Sequence, residues 1–329
     1  MSTAAAVRVA AVLVNFNGGA VLAEALRCIA AQTRPFDRVV VVDNASSDGS
    51  HAGLGSGVEV LALDRNIGFA AGNNRGIERV GECDWIALVN PDAFLADDWL
   101  ERMLEAADAT GAASIGCTLV DEQDRSRLDG VADVYHLSGL AWRRLHGAPR
   151  AAAPDGRCEI FGPCAAAALY SRAAFADVGG FEERFFCYFE DVDLAFRLRL
   201  RGYTSVYEPA ARAFHVGSAL TGRGSAFTTY HVNRNLVWTF VRNVPGPLLW
   251  YLPQHLAANL ATSLVLARQG HARTVLRAKR DAVRGLPWAL RTRREIQSGR
   301  RVDRGQIGKH VLSGLRAYLA AQREVRQWQ

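Results

Sequence analysis

Three acidic residues within four positions, Glu190, Asp191 and Asp193, follow the aromatic run Phe185-Phe186-Cys187-Tyr188-Phe189 and precede an arginine-rich stretch. A carboxylate walled by aromatic side chains has a raised pKa and can serve as a general base. A helix N-cap or packing accounts for one of the three, Asp193, and leaves Glu190 and Asp191 for chemistry. Asn90-Pro91-Asp92 offers another carboxylate, in a turn that Pro91 stiffens. Mg²⁺ bound to a diphosphate typically takes one or two protein carboxylates beside the phosphate oxygens, a role that suits Asp92, although the tripeptide alone also reads as a structural turn. His215, within Ala213–Ser218, is a lone histidine that becomes a ligand only if the chain returns it to Asp92. Asp43, in Asp43-Asn44-Ala45-Ser46-Ser47-Asp48-Gly49, can accept hydrogen bonds from a base N–H or a ribose hydroxyl, or simply form a turn and cap.

These residues need elements to carry them. Val7–Val14 is an almost continuous apolar run that ends in Asn15-Phe16-Asn17-Gly18-Gly19, after which Val21, Leu22, Ala25, Leu26 and Ile29 recur at helical spacing. The beat repeats at Arg38–Val42, at Val58–Leu63 with a helix through Ala70–Val80, and at Trp85–Val89. Buried-strand runs alternating with amphipathic helices imply a doubly wound, mostly parallel α/β sheet, with its ligand site beyond the carboxyl ends of the strands. No GxGxxG follows the first strand and no GxxxxGK[ST] occurs, which argues against dinucleotide and ATP pockets of those types. Residues 118–158 lose the rhythm, and the Ala/Pro/Gly segment around Gly147–Gly156 reads as a variable surface loop. A further helix is expected from about Leu194 to Arg201.

At 329 residues, 49% hydrophobic and 22% charged, the chain is globular. Its charge of +6 is uneven: residues 268–329 hold sixteen Lys or Arg against four Asp or Glu, a net of +12, which leaves −6 for residues 1–267. Base-reading motifs are not apparent, so the basic end points to an anionic membrane surface rather than nucleic acid. Six cysteines lack paired metal-ligand spacing and read as reduced cytosolic thiols, and no signal peptide precedes the first strand. Val244–Ala267 carries no formal charge, but its prolines and polar residues fit a helix lying in the membrane plane better than a span.

The ordered series VNFNG, VVDNASSDGS, NIGFAAGNN, LVNPDA, VGGFEERFFCYFEDVDLAFRLRLRGY, FHVGS and HVNRN, over residues 7–240, closely resembles family 2 glycosyltransferases of the GT-A fold, in their rhamnosyltransferase-like branch. The resemblance implies a GT-A catalytic domain over residues 1–240 and a basic, amphipathic helical region over 241–329. It implies that Asn15, Asn17, Asp43, Asn66, Asn73 and Asn90 line the donor. Asp92 and His215 would hold Mg²⁺ or Mn²⁺ on the donor diphosphate, and Asp191, with Glu190 beside it, would be the base. Asn90 stands where many relatives carry the first acid of their DXD motif. Gly162 and Arg234 are expected on the acceptor or phosphate side, with pairing to the protein's own acids as the other reading of Arg234. The implied activity is inverting transfer of a sugar, best dTDP-rhamnose, to a lipid-linked or cell-surface glycan, by an enzyme peripheral to the inner face of the cell membrane. A UDP-hexose or UDP-galactofuranose donor, a nucleotidyltransferase and a noncatalytic scaffold are the alternatives.

Overall fold

A computed structural model describes residues 7–217, 224–247, 250–314, 316, 317 and 319. Ser218, at the end of the FHVGS motif, and the last ten residues of the basic tail lie outside the described residues.

Strands β1 (Val9–Asn15), β2 (Arg38–Asp43), β3 (Glu59–Ala62) and β4 (Trp85–Val89) run parallel in the order β4-β1-β2-β3. All seven residues of β1 are buried, which is why the strand reads as continuously apolar. Helices α1 (Gly19–Ala30) and α2 (Phe69–Val80) cross between them, α1 burying Leu22, Ala25 and Ile29 at helical spacing. After β5 (Ala93–Leu95) and α3 (Trp99–Thr110), β6 (Ser114–Asp121) enters the second half of the sheet.

That half is mixed. Strand β11 (Ala167–Ser171) lies between β4 and β6 and is antiparallel to both, whereas β12 (Ser205–His215) runs parallel to β6. The region without sequence rhythm folds into β7 (Leu128–Gly130), β8 (Asp133–His136), β9 (Ala141–Arg143) and β10 (Cys158–Glu159). Strands β8 and β9 form a small second sheet, completed by β13 (Val311–Leu312) from near the C-terminus. A short helix α4 (Arg172–Asp177) leads to α5 (Glu190–Leu200), which begins at Glu190 rather than at Leu194.

The C-terminal helices are α6 (Ala226–Asn243), α7 (Leu252–Leu266), α8 (Ala272–Arg284), α9 (Leu286–Ser298) and α10 (Arg304–Gly308). Trp238, Phe240, Trp288, Ile307 and Val311 share one core with Phe161, Val192 and Phe196. Among the described residues no helix is long and apolar enough to cross a membrane.

Candidate active site

The carboxyl ends of β1 and β2 meet at a closed polar network. Asn15 Nδ2 donates to Asp43 Oδ1 (2.9 Å), Ser46 Oγ (3.1 Å) and Ser50 Oγ (2.8 Å), while Asn15 Oδ1 accepts the Gly18 N–H. Asn17, in left-handed conformation, accepts the Ser47 N–H at 2.8 Å. The network fixes the turn shapes and leaves Asp43, 2% exposed, beside the half-exposed Phe16. Asn66 and Asn73 take local partners: Asn66 Oδ1 accepts from Gly68 N, and Asn73 Nδ2 donates to the Phe69 carbonyl. Asn44 ties that loop down through Ile67 N and the Gly68 carbonyl.

Antiparallel pairing of β12 with β5 sets His215 opposite Ala93, one residue past Asp92. His215 Nε2 lies 3.3 Å from Asp92 Oδ1 and 3.5 Å from Asn90 Nδ2, and the buried Asn90 Oδ1 has no hydrogen-bond partner among the described residues. The other ring nitrogen, Nδ1, faces Asp129 Oδ2 at 2.7 Å. Asp129, on β7, is also paired with Arg143 and lies 3.2 Å from His146 Nδ1. Burial works against ionised Asp129, but Arg143, His146 and His215 hold its carboxyl far below the usual range. Burial likewise opposes protonation of His215, and Asp129 and Asp92 outweigh it, lifting the imidazole to about 9.

This donor set fits a divalent ion. A carboxylate and an imidazole nitrogen converge, an unpartnered amide oxygen stands by, and the far side of the ring is oriented by a second carboxylate, as at many histidine metal sites. Asp129 was missed in the sequence; its only signal is an acid set among apolar and small residues in Leu128-Asp129-Gly130-Val131-Ala132.

The acidic triplet occupies the start of α5. Its N-cap position is taken by Phe189 in left-handed conformation, without a capping side chain. Asp193 is therefore not the cap: it lies one turn in, fully buried, and pairs with Arg197 (2.8 Å), Arg242 (3.0 Å) and Asn243 (2.7 Å). Against the cost of burial, Arg242 and Arg197 hold its carboxyl low, so it stays ionised as a structural anion. Asp191 accepts the N–H groups of Val192 (2.8 Å) and Ala165 (3.4 Å). Burial raises the Asp191 carboxyl, with those N–H groups and Arg143 pulling the other way. Glu190 is buried, its Oε2 has no hydrogen-bond partner among the described residues, and burial together with Asp191 pushes its carboxyl well up. Side-chain atoms of Asp133, Cys164 and Asp191 lie within 4.8 Å of one another.

The loop that delivers Glu190 and Asp191 is strained. Phe186, Tyr188 and Phe189 all have positive φ, each at a cost of about 1–3 kcal/mol that the surroundings must offset. Asn235 on α6 aims Nδ2 at the carbonyls of Phe185 (3.0 Å), Cys187 (2.9 Å) and Tyr188 (2.7 Å). Arg234 donates to the Arg184 and Phe185 carbonyls and lies over Trp238, so its charge goes to the loop rather than to the protein's acids. Gly68 interlocks with this loop: a Cβ there would sit 2.5 Å from the Phe186 carbonyl oxygen, which also accepts the Ala70 N–H. Gly162 packs directly against Ala195 of α5, and its carbonyl accepts the Asp133 N–H at 2.9 Å.

A mostly parallel α/β sheet carries a buried carboxylate–imidazole pair beyond its strand ends and an acidic cluster at the start of α5, an arrangement with the chemistry to hold a divalent ion and to take up a proton. The description "Glycosyl transferase family 2" matches residues 10–179, and the chain belongs to that family; it is a glycosyltransferase. It is 30% identical over 242 residues to the N-acetylglucosaminyl-diphospho-decaprenol L-rhamnosyltransferase of Mycobacterium tuberculosis, covering 65% of this chain and 78% of that one. Identity to the rhamnosyltransferase WbbL of Escherichia coli is 29% over 159 residues, 45% of this chain and 60% of that one. Among solved structures, the fold is similar to the mannosyltransferase PcManGT of Pyrobaculum calidifontis in complex with GDP-Man and Mn²⁺ (TM-score 0.53, 18% identity, 98% and 81% of the two chains). It is also similar to GalNAc-T7 with UDP, GalNAc and Mn²⁺ (TM-score 0.58, 15% identity), where it covers 70% of this chain but only 47% of that one.

Proposed function

We propose that the protein transfers L-rhamnose, with inversion, from dTDP-rhamnose to a hydroxyl of a lipid-linked or cell-surface glycan at the inner face of the cell membrane. The observation that carries this reading is the pair of centres, the buried Asp92–His215 braced by Asp129 and the half-buried Asp191 at the start of α5. The rhamnosyltransferase relatives support the sugar and the lipid-linked acceptor.

In this reading Asp43 and Asn15 hold the nucleoside, with Asn17 shaping their turn and Asn66 and Asn73 shaping the loop that closes over it. Asp92 and His215 would hold Mg²⁺ or Mn²⁺, and Asn90 stands beside them; when bound, the ion neutralises charge on the departing diphosphate. Asp191 takes the proton of the acceptor hydroxyl as that oxygen bonds the anomeric carbon from the face opposite the diphosphate, so one displacement inverts the centre. Arg234 and Gly162 serve this centre by fixing the loop and the helix rather than by touching a phosphate.

Residues 1–240 would be the catalytic unit and 241–329 the membrane-facing one. Helix α7 turns its apolar side outward: Leu256, Leu260, Leu264 and Val265 are exposed in one stripe, and Trp250 before it is 79% exposed. Helix α8 adds exposed Leu276 and Val283 among Arg273, Arg277, Arg280 and Arg284. Apolar side chains beside cations suit a surface of anionic lipid, where each cation contributes about 1 kcal/mol.

The test is a donor panel: thermal stabilisation and slow hydrolysis of dTDP-rhamnose, UDP-glucose, UDP-N-acetylglucosamine, UDP-galactose, UDP-galactofuranose and GDP-mannose, with and without Mn²⁺ or Mg²⁺. A metal-dependent response to dTDP-rhamnose alone is expected. A response to a UDP-sugar instead would overturn the donor, and silence across the panel would favour a noncatalytic scaffold.

A further inference from the structure

Asp133 lies on β8, 8% exposed, and reaches the neighbourhood of Asp191 and Cys164 with side-chain atoms within 4.8 Å. Its Oδ2 has no hydrogen-bond partner among the described residues. Asp191 is differently placed, since two backbone N–H groups support its ionised form. Two bare carboxylates this close in the interior repel each other, and one proton between them removes the repulsion and supplies the missing hydrogen bond. The backbone donors make Asp191 the better anion and leave the proton to Asp133.

The groups facing Asp133 agree with that assignment. Burial first, and then the charge of Asp191, drive its carboxyl well above the usual range, while Arg143 on β9 pulls it down. Arg143 is already engaged with Asp129. Glu190 on α5 is a second raised acid, and the Cys164 thiol and the Tyr170 phenol on β11 are both held neutral, first by burial. Among the described residues Arg143 is the cation that acts on both Asp133 and Asp191, and it is paired with Asp129.

We infer that Asp133 is a positioning residue for the base: in the resting enzyme it carries one proton and donates it as a hydrogen bond to Asp191. The inference rests on Asp191 being the base. The bound proton fixes the orientation of the Asp191 carboxylate and keeps the pair at a single negative charge. During transfer the acceptor O–H breaks and its proton goes to Asp191. The acceptor oxygen bonds the anomeric carbon, and the bond from that carbon to the diphosphate oxygen breaks, its electron pair leaving with the diphosphate. The pair then holds two protons and returns one to solvent. Gly162 belongs to this arrangement, because its carbonyl anchors the Asp133 N–H while its missing side chain lets α5 approach.

Infrared spectroscopy of the full chain with ¹³C-labelled aspartate reads the proton without any substrate. At neutral pH an isotope-shifted C=O stretch of a protonated aspartic acid is expected, absent in Asp133→Asn, retained in Asp43→Asn, and unchanged on adding Mn²⁺. A missing band, a band that survives Asp133→Asn, or a band that Mn²⁺ abolishes by seating an ion among Asp133, Cys164 and Asp191 would overturn the inference. Metal-dependent hydrolysis of dTDP-rhamnose provides the kinetic arm. Asp133→Ala is expected to lose roughly 10-fold in kcat with little change in donor KM, while Asp133→Asn, whose amide can still donate to Asp191, stays within about threefold. Asp133→Asn should also lose the alkaline limb of the kcat profile, since that limb reports the second proton of the pair. Equal damage from Ala and Asn, or an unchanged alkaline limb, would sink the positioning role. The base reading fails separately, through an active Asp191→Asn.

Discussion

The polar turns that follow β1, β2 and β3 and the acidic start of α5 are built by opposite means. At the ends of β1, β2 and β3 the polar residues satisfy one another between neighbouring turns: Asn15 with Asp43 and two serines, Asn17 with Ser47, Asn66 with Gly68. At the start of α5 the acids meet long-range partners: buried Asp193 with Arg242 and Asn243 from α6, half-buried Asp191 beside Asp133 from β8, and the loop before them pinned by Asn235. A network between neighbouring turns fixes their shape. A long-range one holds charges in low dielectric, where unmatched protons and raised carboxyls become available for chemistry. The turns provide shape, and the start of α5 stores charge.

If that contrast is right, the largest effect comes from the stored charge. Asp191→Asn should lose at least about 10²-fold in kcat while the affinity for donor, read by calorimetry, stays within about twofold. A parallel loss of donor affinity would make the two halves one unit. The next effect tests the metal side. Asp129→Asn frees the His215 ring that it orients, so the Mn²⁺ concentration for half-maximal activity should rise roughly 10–100-fold. An unchanged metal requirement would reduce Asp129 to a partner of Arg143 and His146.

The same contrast explains how much of the molecule was legible in its sequence. Strands β1, β2 and β4 are buried on both faces, so each appears as an unbroken apolar run, and the polar turn that follows marks the site; Asp43, Asp92 and Asn15 follow from that pattern. The acidic triplet was visible as a departure from composition. Asp129, Asp133 and Arg143 were not, because they stand on strands of three or four residues, too short to establish a period, within a stretch that resembles turn and loop. Nor does a helical pattern reveal that Asn235 faces three carbonyls of a strained loop some 50 residues earlier. Asp193 reads as a cap or a packing residue from its place near a helix start, and the structure makes it the second; its buried partners Arg242 and Asn243 lie far along the chain.

A smaller effect concerns the helical layer behind the base. His255 on α7 stacks on Phe240 at 3.9 Å, and its Nδ1 lies 2.8 Å from the Ser138 carbonyl oxygen. Burial, with Lys279 nearby, lowers its pKa to about 4 despite the Ser138 contact. The fold therefore keeps this imidazole neutral, whereas the unfolded chain protonates it below about pH 6.5. Between pH 6.5 and 4 the unfolded state binds the extra proton, so stability is intact above 6.5 and falls with acidification, by about 1 kcal/mol at pH 5.5 and about 3 kcal/mol at pH 4. His255→Gln should flatten that part of the Tm-against-pH curve. An equally steep curve in the variant would assign the acid sensitivity to other groups.

The smallest effect on catalysis, and the sharpest separation of the two tasks, belongs to the outer face of α7. Leu260 is 62% exposed and lies in the apolar stripe between Leu256 and Leu264, remote in sequence from Asp92, Asp191 and His215. Replacing it with aspartate removes no buried contact of consequence, so Tm should move little and metal-dependent hydrolysis of the donor should be unchanged. Binding to vesicles of anionic lipid should nevertheless weaken at least about 10-fold, because a buried leucine contributes about 1.5–3 kcal/mol at such an interface and the new charge opposes lipid of the same sign. Raising the salt should weaken the wild-type chain as well, through its arginines, but only partly, since the apolar stripe is indifferent to screening. Unaltered vesicle binding by Leu260→Asp would move the docking surface away from α7 and leave the basic residues of α8 and beyond to account for it.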